Sequence, residues 1–126
     1  MAPWVAVIEP PGLNDRVVQI LIEALYKIDL DWLQSHPRAP RLYESGVRYR
    51  AEPQGVEKWR AIPWVLELGQ GDCEDLACWL AAEYTVRGIQ ARPVAHCRRR
   101  RNRRTYHILV QLPDGTLEDP SKKLGM

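Results

Sequence analysis

The sequence predicts an α+β domain in which helices pack on one side of a small antiparallel sheet. Two segments, residues 15–33 and 72–87, have the apolar spacing of helices. Two β-prone runs, residues 89–97 and 105–112, are joined by an arginine-rich segment, which is typical of an antiparallel hairpin. Because 126 residues suit one ordinary domain, we expect a single unit, residues 1–126.

The first predicted helix has both a cap and a regular apolar stripe. Asn14 and Asp15 are side chains that accept hydrogen bonds from the first turn of a helix. Prolines at positions 37 and 40 forbid its continuation, so residues 36–40 are expected to be a linker. The apolar positions recur at helical spacing and are interpreted as core contacts: Val17, Val18, Leu21, Leu25, Ile28 and Trp32.

Shorter elements lie before and after this helix. Residues 4–9 read as a strand or extended arm, and residues 46–51 alternate as an extended segment does. Residues 56–62 are predicted to form a short helix that Pro63 breaks. We divide the chain into an N-terminal helix and extended arm over 1–55 and a core over 56–126.

The second predicted helix carries the most regular apolar stripe of the chain. Asp72 is a suitable cap at its start, and Gly88 is a suitable stop. A turn at 113–116 is expected to lead into a third strand at 117–119. One face of this helix is predicted to carry Cys73, Leu76, Ala77, Leu80 and Tyr84.

Composition and charge narrow the function classes. Hydrophobic residues make up 45% and charged residues 27%, as in globular proteins, and a net charge of +2 does not predict a nucleic-acid or membrane partner. The three cysteines are few, and their odd number would leave one unpaired, which argues against a secreted disulfide scaffold. No run approaches the ~20 apolar residues of a membrane span. We expect free thiols, a cytoplasmic location and no membrane contact.

Six of the 18 basic residues lie close together in the linker between the two β-prone runs. Three interpretations stay open: a solvated hairpin tip, steering of an acidic substrate or partner, and nucleic-acid binding. Nucleic acid is the least favoured of these, because only Tyr106 is near enough to stack on a base. The residues are Arg98, Arg99, Arg100, Arg101, Arg103 and Arg104.

A cysteine, a histidine and an aspartate follow one another in an order that suits nucleophilic catalysis. Cys73 begins a predicted helix, where unpaired N–H groups favour a thiolate. His107 lies on a predicted strand, and Asp119 could hold its ring in the useful tautomer. The flanking acids Glu74 and Asp75 would raise the thiol pKa unless they turn toward the helix N–H groups.

Acyl transfer also needs hydrogen-bond donors for the oxyanion that forms. The backbone N–H of Cys73 and the side-chain amide of Gln70 are the two candidates for this oxyanion hole. Gln70 also has a simpler interpretation as a solvated loop residue. Gly69 and Gly71 fit a tight turn that would expose the thiol.

Four blocks in this order resemble one family. These are the segments Gly71-Asp72-Cys73-Glu74-Asp75-Leu76-Ala77, Arg87-Gly88-Ile89-Gln90-Ala91-Arg92, Tyr106-His107 and Asp119-Pro120-Ser121. Together they are similar to the transglutaminase-like superfamily of papain-fold cysteine enzymes, over about residues 56–126. Where that family often has an H-x-W pattern, this chain has Ile108 and Leu109 after the histidine.

The resemblance implies a papain-like, transglutaminase-core fold with the catalytic cysteine at a helix N-terminus. It implies that Cys73 is the nucleophile, His107 the base and acid, and Asp119 the orienting carboxylate. The implied activity is acyl transfer from a peptide or protein amide through a thioester, to water in a protease or amidase or to an amine in a transamidase. It also hints at a bacterial or phage origin. Water is favoured, since no amine-binding feature is evident.

Other interpretations accompany this one. The chain could be a catalytically idle module of the same fold that binds a partner, whose mark would be a buried or misaligned Cys73. No cofactor and no metal is expected, because the cysteines and histidines have spacings that point their ligand atoms apart. Core filling is expected for Cys78 and Cys97, and structural or solvated roles for His36 and His96.

Overall fold

The computed structural model describes residues 7–8, 14–53, 58–100 and 103–126, with side chains described for 14–53, 58–97 and 105–126. Over these residues the protein is a small mixed α+β domain with four α-helices and small sheets. None of the described helices combines the length and the apolar character needed to cross a membrane.

The first helix, α1 (Asp15–Ser35), has nearly the predicted bounds, but of its six predicted core positions only Val18 and Leu25 are buried and the other four are half-buried. Oδ1 of Asn14 accepts a hydrogen bond from the backbone N–H of Val17 at 2.9 Å, which satisfies one unpaired donor of the first turn. The helix ends at the cap residue His36, immediately before Pro37. Its buried apolar side chains are Val18, Ile22, Leu25 and Leu33.

A buried carboxyl group joins α1 to the second helix, α2 (Ile62–Leu68). Asp29 is fully buried, and its Oδ1 accepts from the backbone N–H of Ile62 at 3.0 Å. Because that N–H lies in the first turn of α2, the side chain supplies the cap that Ala61 cannot.

The helix predicted at residues 56–62 is wrong. Trp59–Arg60 form a strand, β3, and the helix begins at Ile62, where Pro63 lies in its first turn. Proline is tolerated there because its missing N–H would have no partner within the helix. Pro63 therefore starts this helix instead of breaking it. Residues 56 and 57 of the prediction lie outside the described residues.

The central helix, α3 (Cys73–Val86), begins at the predicted cysteine. Asp72 and Asp75 form a capping box, in which each side chain accepts from the other residue's backbone N–H. Arg87 is the C-cap, and Gly88 follows with a left-handed φ of 85°, as its prediction as a stop requires. Burial is not confined to the predicted face, since a continuous run from Cys73 to Glu83 is buried.

Helices α1 and α3 pack against each other and against a three-stranded antiparallel sheet. β5 (Arg92–Arg100) pairs with β6 (Arg103–Gln111) from Arg92↔Gln111 to Arg100↔Arg103, which confirms the predicted hairpin. Both strands continue into the arginine-rich segment that was expected to be their linker, because the backbone pairing extends that far. β7 (Leu117–Glu118) pairs with the other edge of β6 through Val110↔Glu118. The side chains of residues 98–104, and with them the predicted arginine cluster, lie outside the described residues.

Two further strand pairs make the sheet structure less uniform than predicted. β1 (Val7–Ile8) pairs with β3 antiparallel, and β2 (Arg48–Tyr49) pairs with β4 (Gln70–Gly71) in parallel. The predicted strand at 4–9 is thus seen at its centre, and its remaining residues lie outside the described part. β4 directly precedes α3, so its pairing with β2 fixes where α3 begins.

Candidate active site

The candidate nucleophile lies at the first position of α3, against the middle of β6. Sγ of Cys73 is 4.0 Å from the carbonyl oxygen of Tyr106. The backbone N–H of Ile108, two residues further along the same strand, hydrogen bonds to the sulfur and favours the thiolate. These two backbone groups flank His107, so the thiol lies beside the part of the strand that carries the candidate base.

His107 and Asp119 are in direct contact. Nε2 of His107 lies 2.7 Å from Oδ2 of Asp119. A carboxylate only accepts hydrogen bonds, so Nε2 is the protonated nitrogen and Nδ1 is left for a second partner. Within the described part of the chain, Nδ1 has no hydrogen-bond partner.

The position of Asp119 is fixed by its role as a helix cap. Asp119 precedes α4 (Pro120–Lys123), and its Oδ1 accepts from the backbone N–H of Lys122 at 3.3 Å. One carboxylate oxygen therefore caps the helix while the other holds the histidine ring. The Asp-Pro-Ser sequence suits this arrangement, because aspartate is a favoured cap and proline a favoured first helical residue.

A second carboxylate fixes the strand that leads into Asp119. Glu118 accepts hydrogen bonds from the hydroxyl groups of Tyr43 and Tyr84, the latter at 2.6 Å, and from Nζ of Lys123 at 3.1 Å. These contacts lower the pKa of Glu118 against the opposing effect of its burial. They tie β7 to α3, to α4 and to the 3-10 helix Leu42–Glu44.

The Cys73 thiol has a different partner from the predicted one. It donates to Oε2 of Glu74 at 3.4 Å, and among the described residues no hydrogen bond joins it to the His107 ring. Only 7% of Cys73 is exposed. The structure thus brings His107 and Asp119 into contact and brings Cys73 to the same strand, while the thiol turns toward Glu74.

Electrostatics keep this thiol protonated at rest. Burial raises the pKa of Cys73 well above its usual range, and the charges of Glu74 and Asp72 raise it further. Burial likewise raises the pKa of Glu74, whose Oε1 is buried without a hydrogen-bond partner. Tyr49, on the neighbouring strand β2, has its pKa raised to about 12 by burial and by the nearby Asp72.

The acids beside Cys73 were expected either to face the thiol or to turn toward the helix N–H groups, and the structure shows both arrangements. Asp72 accepts from the Cys73 N–H at 2.7 Å, and Asp75 accepts from the N–H groups of Asp72 and Arg60. These two carboxyl groups serve backbone donors, whereas Glu74 faces the sulfur. The sequence showed these charges, but a single acid next to a cysteine carries no signal for which way it turns.

The two predicted oxyanion donors differ in their availability. The Cys73 N–H is occupied by the Asp72 side chain at 2.7 Å. Gln70 is half-buried on β4, and its Oε1 accepts from Nη1 of Arg50 at 3.4 Å, which leaves the Nε2 donors without a hydrogen bond among the described residues. Gln70 is therefore the donor that this arrangement offers.

The other cysteines and histidines have separate surroundings. All three cysteines are free thiols. Cys78 is fully buried and donates to the carbonyl of Ile22 at 3.3 Å, which confirms core filling. Cys97 is exposed, so the prediction of core filling is wrong there, because the burial of β5 ends before its last described side chains, those of residues 96 and 97. His96 is exposed, and His36 is exposed and stacks on Trp32.

Two groups of side chains bring ligand-type atoms together. Atoms of Glu52, Glu74 and Asp75 lie within 4.8 Å of one another, and so do atoms of Asp72, Cys73 and Glu74. Glu52 is already paired with Arg60 at 2.8 Å, and the two aspartates accept backbone hydrogen bonds. These groups are better explained as caps and ion pairs than as a metal centre.

No protein-family model, curated protein or solved structure matches this chain. The function of the protein is therefore inferred from the site itself.

Proposed function

We propose that the protein is a cysteine-dependent acyl-transfer enzyme of the transglutaminase-like, papain-fold type, acting on an amide through a thioester. The observation that carries the proposal is the 2.7 Å contact between Nε2 of His107 and Oδ2 of Asp119, on the strand against which the Cys73 sulfur packs. An oriented imidazole with Nδ1 available, next to a thiol, is the combination that nucleophilic catalysis requires.

In the proposed mechanism, deprotonation accompanies attack. Because the resting thiol is protonated, Nδ1 of His107 takes the Sγ proton as the sulfur attacks the amide carbonyl carbon. Asp119 stabilises the imidazolium that forms, and the Gln70 amide donates to the oxyanion. His107 then gives its proton to the leaving amine, and a thioester remains on Cys73.

The second half of the reaction releases the acyl group. His107 removes a proton from water as the water attacks the thioester carbonyl, and gives that proton to the sulfur as the C–S bond breaks, which releases the carboxylic acid and restores the Cys73 thiol. An amine could replace the water and give a new amide. Hydrolysis is the favoured course, since the described residues near Gln70 and Cys73 include no dedicated amine site.

For the thiol to reach His107 it must leave Glu74. Rotation about the Cα–Cβ bond changes the partner of a cysteine sulfur without any backbone movement. The hydrogen bond from Cys73 to Glu74 at 3.4 Å then marks the resting state of the proposed enzyme.

A second candidate function is a catalytically idle module that binds a partner. It is favoured by the burial of Cys73, 7% exposed, and by its hydrogen bond to Glu74 in place of His107. The two candidates differ in whether the thiol of the folded protein reacts.

The experiment is intact-mass spectrometry after alkylation with iodoacetamide, in a Cys97→Ser background because Cys97 is exposed and would also react. We expect one label on the folded protein, absent in Cys73→Ala, while the buried Cys78 reacts only after denaturation. His107→Ala should slow labelling by at least about tenfold. Labelling of Cys73 only after denaturation, in step with Cys78, would favour the idle module.

Asp119→Asn supplies the matched test of the carboxylate. Asparagine caps a helix as well as aspartate does, so α4 should be retained and the free energy of unfolding nearly unchanged. The ring of His107 loses its anionic partner, and we expect slower labelling of Cys73. Labelling at the wild-type rate would remove Asp119 from the proposed site.

A further inference from the structure

A cavity of about 350 Å³ opens beside the N-terminus of α3. Gln70, Gly71 and Asp72, the three residues before Cys73, form one wall of it. The rest of its lining comes from residues 50–53 together with Lys58, Arg60 and Leu68. The cavity therefore adjoins the start of α3, the helix that Cys73 begins.

The cations of the cavity wall are exposed, whereas its acids are turned inward. Arg50 and Lys58 are both exposed to solvent. The Glu52 side chain is only 7% exposed and accepts from Nη1 of Arg60 at 2.8 Å. Asp72 is engaged by the backbone N–H groups of Cys73 and Glu52, at 2.7 and 3.1 Å. An incoming ligand thus meets positive charge first.

Arg50 links the cavity to the candidate oxyanion donor. Its Nη1 donates to Oε1 of Gln70 at 3.4 Å, so the guanidinium lies next to the amide that would bind the oxyanion. A guanidinium has five N–H donors, and its planar fork matches a carboxylate. The remaining donors of Arg50 can therefore bind an anion close to the scissile bond.

We propose that the cavity binds a substrate carboxylate close to the amide that Cys73 attacks, so that the substrates are acidic peptides. This inference rests on the proposed function. A carboxylate fits better than a phosphate dianion, because Glu52 and Asp72, which also line the cavity, repel a second negative charge. A cavity of this volume is also large enough for one acidic side chain.

The test compares peptidyl chloromethyl ketones that differ only in carrying glutamate or glutamine at the first, second or third residue before the electrophile. At one of these positions we expect the Cys97→Ser protein to react about three to ten times faster with the glutamate probe at low salt. Arg50→Gln and Lys58→Gln should each bring this ratio toward one. Arg38→Gln, which removes an exposed cation outside the cavity, should leave it unchanged.

Because the measurement is a ratio within each variant, any effect of Arg50 on Gln70 cancels. A ratio near one at all three positions, with Cys73 labelled by both probes, would overturn the acidic-substrate inference and leave the proposed function standing. Should neither probe label Cys73, the corresponding acidic and amide peptides are titrated into Cys73→Ala by NMR. If the acidic peptide binds more tightly and Arg50→Gln abolishes this preference, the cavity binds carboxylates although the proposed enzymatic function fails. Equal binding of the two peptides would overturn the inference that the cavity binds a carboxylate.

Discussion

At the scale of the residue, the state of the thiol depends on which neighbour holds it. Glu74 accepts the Cys73 hydrogen bond, and its charge is one cause of the raised pKa of that thiol. In Glu74→Gln no carboxylate can form beside the sulfur, so the thiolate that forms at alkaline pH meets no repulsion there and the thiol pKa falls. We expect alkylation of Cys73 at pH ~9, where Cys73 and Glu74 both begin to ionise, to become several times faster, measured by intact mass in the Cys97→Ser background.

Glu83→Gln is the matched control for this change. Glu83 is another buried acid of α3, but its Oε1 accepts from the backbone N–H of Leu42, and it is not among the causes of the Cys73 pKa shift. Cys73 in Glu83→Gln should be alkylated at the same rate as in the parent protein. A slower rate in Glu74→Gln would contradict the prediction, since it would mean that the carboxyl group assists the thiol.

Single residues were predictable from the sequence where a local rule governs them. Asn14 and Asp72 are caps because side-chain oxygens next to unpaired N–H groups have few alternatives. The orientation of Glu74 and the exposure of Cys97 depend on which distant element covers them, and no local pattern contains that information. The cavity cation Arg50 was visible only as the polar side of an alternating strand.

At the scale of the element, the start of α3 depends on the close approach of Gly71. A Cβ atom there would lie 3.1 Å from Cβ of Asp75, 3.2 Å from Cδ2 of Leu76 and 3.3 Å from Cγ1 of Val65. We expect Gly71→Ala to lower the free energy of unfolding by about 1–3 kcal/mol. Since Asp75 and Leu76 belong to the first turn of α3, the alkylation rate of Cys73 should change as well.

Gly69→Ala separates this crowding from ordinary backbone strain. Gly69 is the C-cap of α2 with φ of 72°, and a Cβ there meets nothing within 4 Å. Its substitution should cost about 1–2 kcal/mol through the left-handed conformation. Urea unfolding measures both variants, and only Gly71→Ala should alter labelling. Equal labelling rates in the two variants would show that Gly71 does not set the position of the thiol.

Helices were predicted well where caps and apolar spacing agree, as in α1 and α3. The start of α2 was missed because a proline ends one helix and begins another with equal ease, and the Asp29 side chain that caps α2 comes from a distant part of the chain. The strands β2 and β3 have two residues each. They are too short for period-two alternation to identify their partners.

At the scale of the whole molecule, the pairing of β5 with β6 followed from their proximity in the sequence, whereas the parallel pairing of β2 with β4 joins residues about twenty positions apart. That pairing fixes the wall of the cavity and the start of α3 together. The contact between His107 and Asp119 was predicted because a short turn separates the strand of His107 from the segment that leads into Asp119. The hydrogen bond of the thiol needed the complete fold.

Buried acids make the stability of the whole domain depend on pH. Burial raises the pKa of Asp29 and of Glu74 well above their usual ranges, and raises that of Asp75 to about 8. Unfolding returns these groups to pKa values of about 4. Between pH ~4 and ~8 the folded protein therefore binds more protons than the unfolded chain, and its stability falls as the pH rises through this window.

Two carboxyl groups whose pKa is lowered on folding make the protein less stable at acid pH. The pKa of Asp114 is lowered by hydrogen bonds from Thr116, and that of Glu118 by hydrogen bonds from tyrosines and a lysine. Their stabilisation is present above pH ~4 and is lost as the pH falls below it. We therefore expect the free energy of unfolding to be largest near pH ~4.5 and to decrease toward pH ~7.5.

Urea unfolding under reducing conditions at pH 4.5, 6 and 7.5 measures this dependence. Asp29→Asn keeps an oxygen that accepts from the Ile62 N–H and removes one titrating group. In Asp29→Asn the decrease of the free energy of unfolding with pH should be shallower by up to about 1.4 kcal/mol per pH unit, the value for one proton. Asp31→Asn, exposed on the same helix, should keep the wild-type slope. A stability that rises steadily from pH 4.5 to 7.5 would mean that these buried carboxyl groups are ionised in the folded protein, and would contradict the raised pKa values on which this prediction depends.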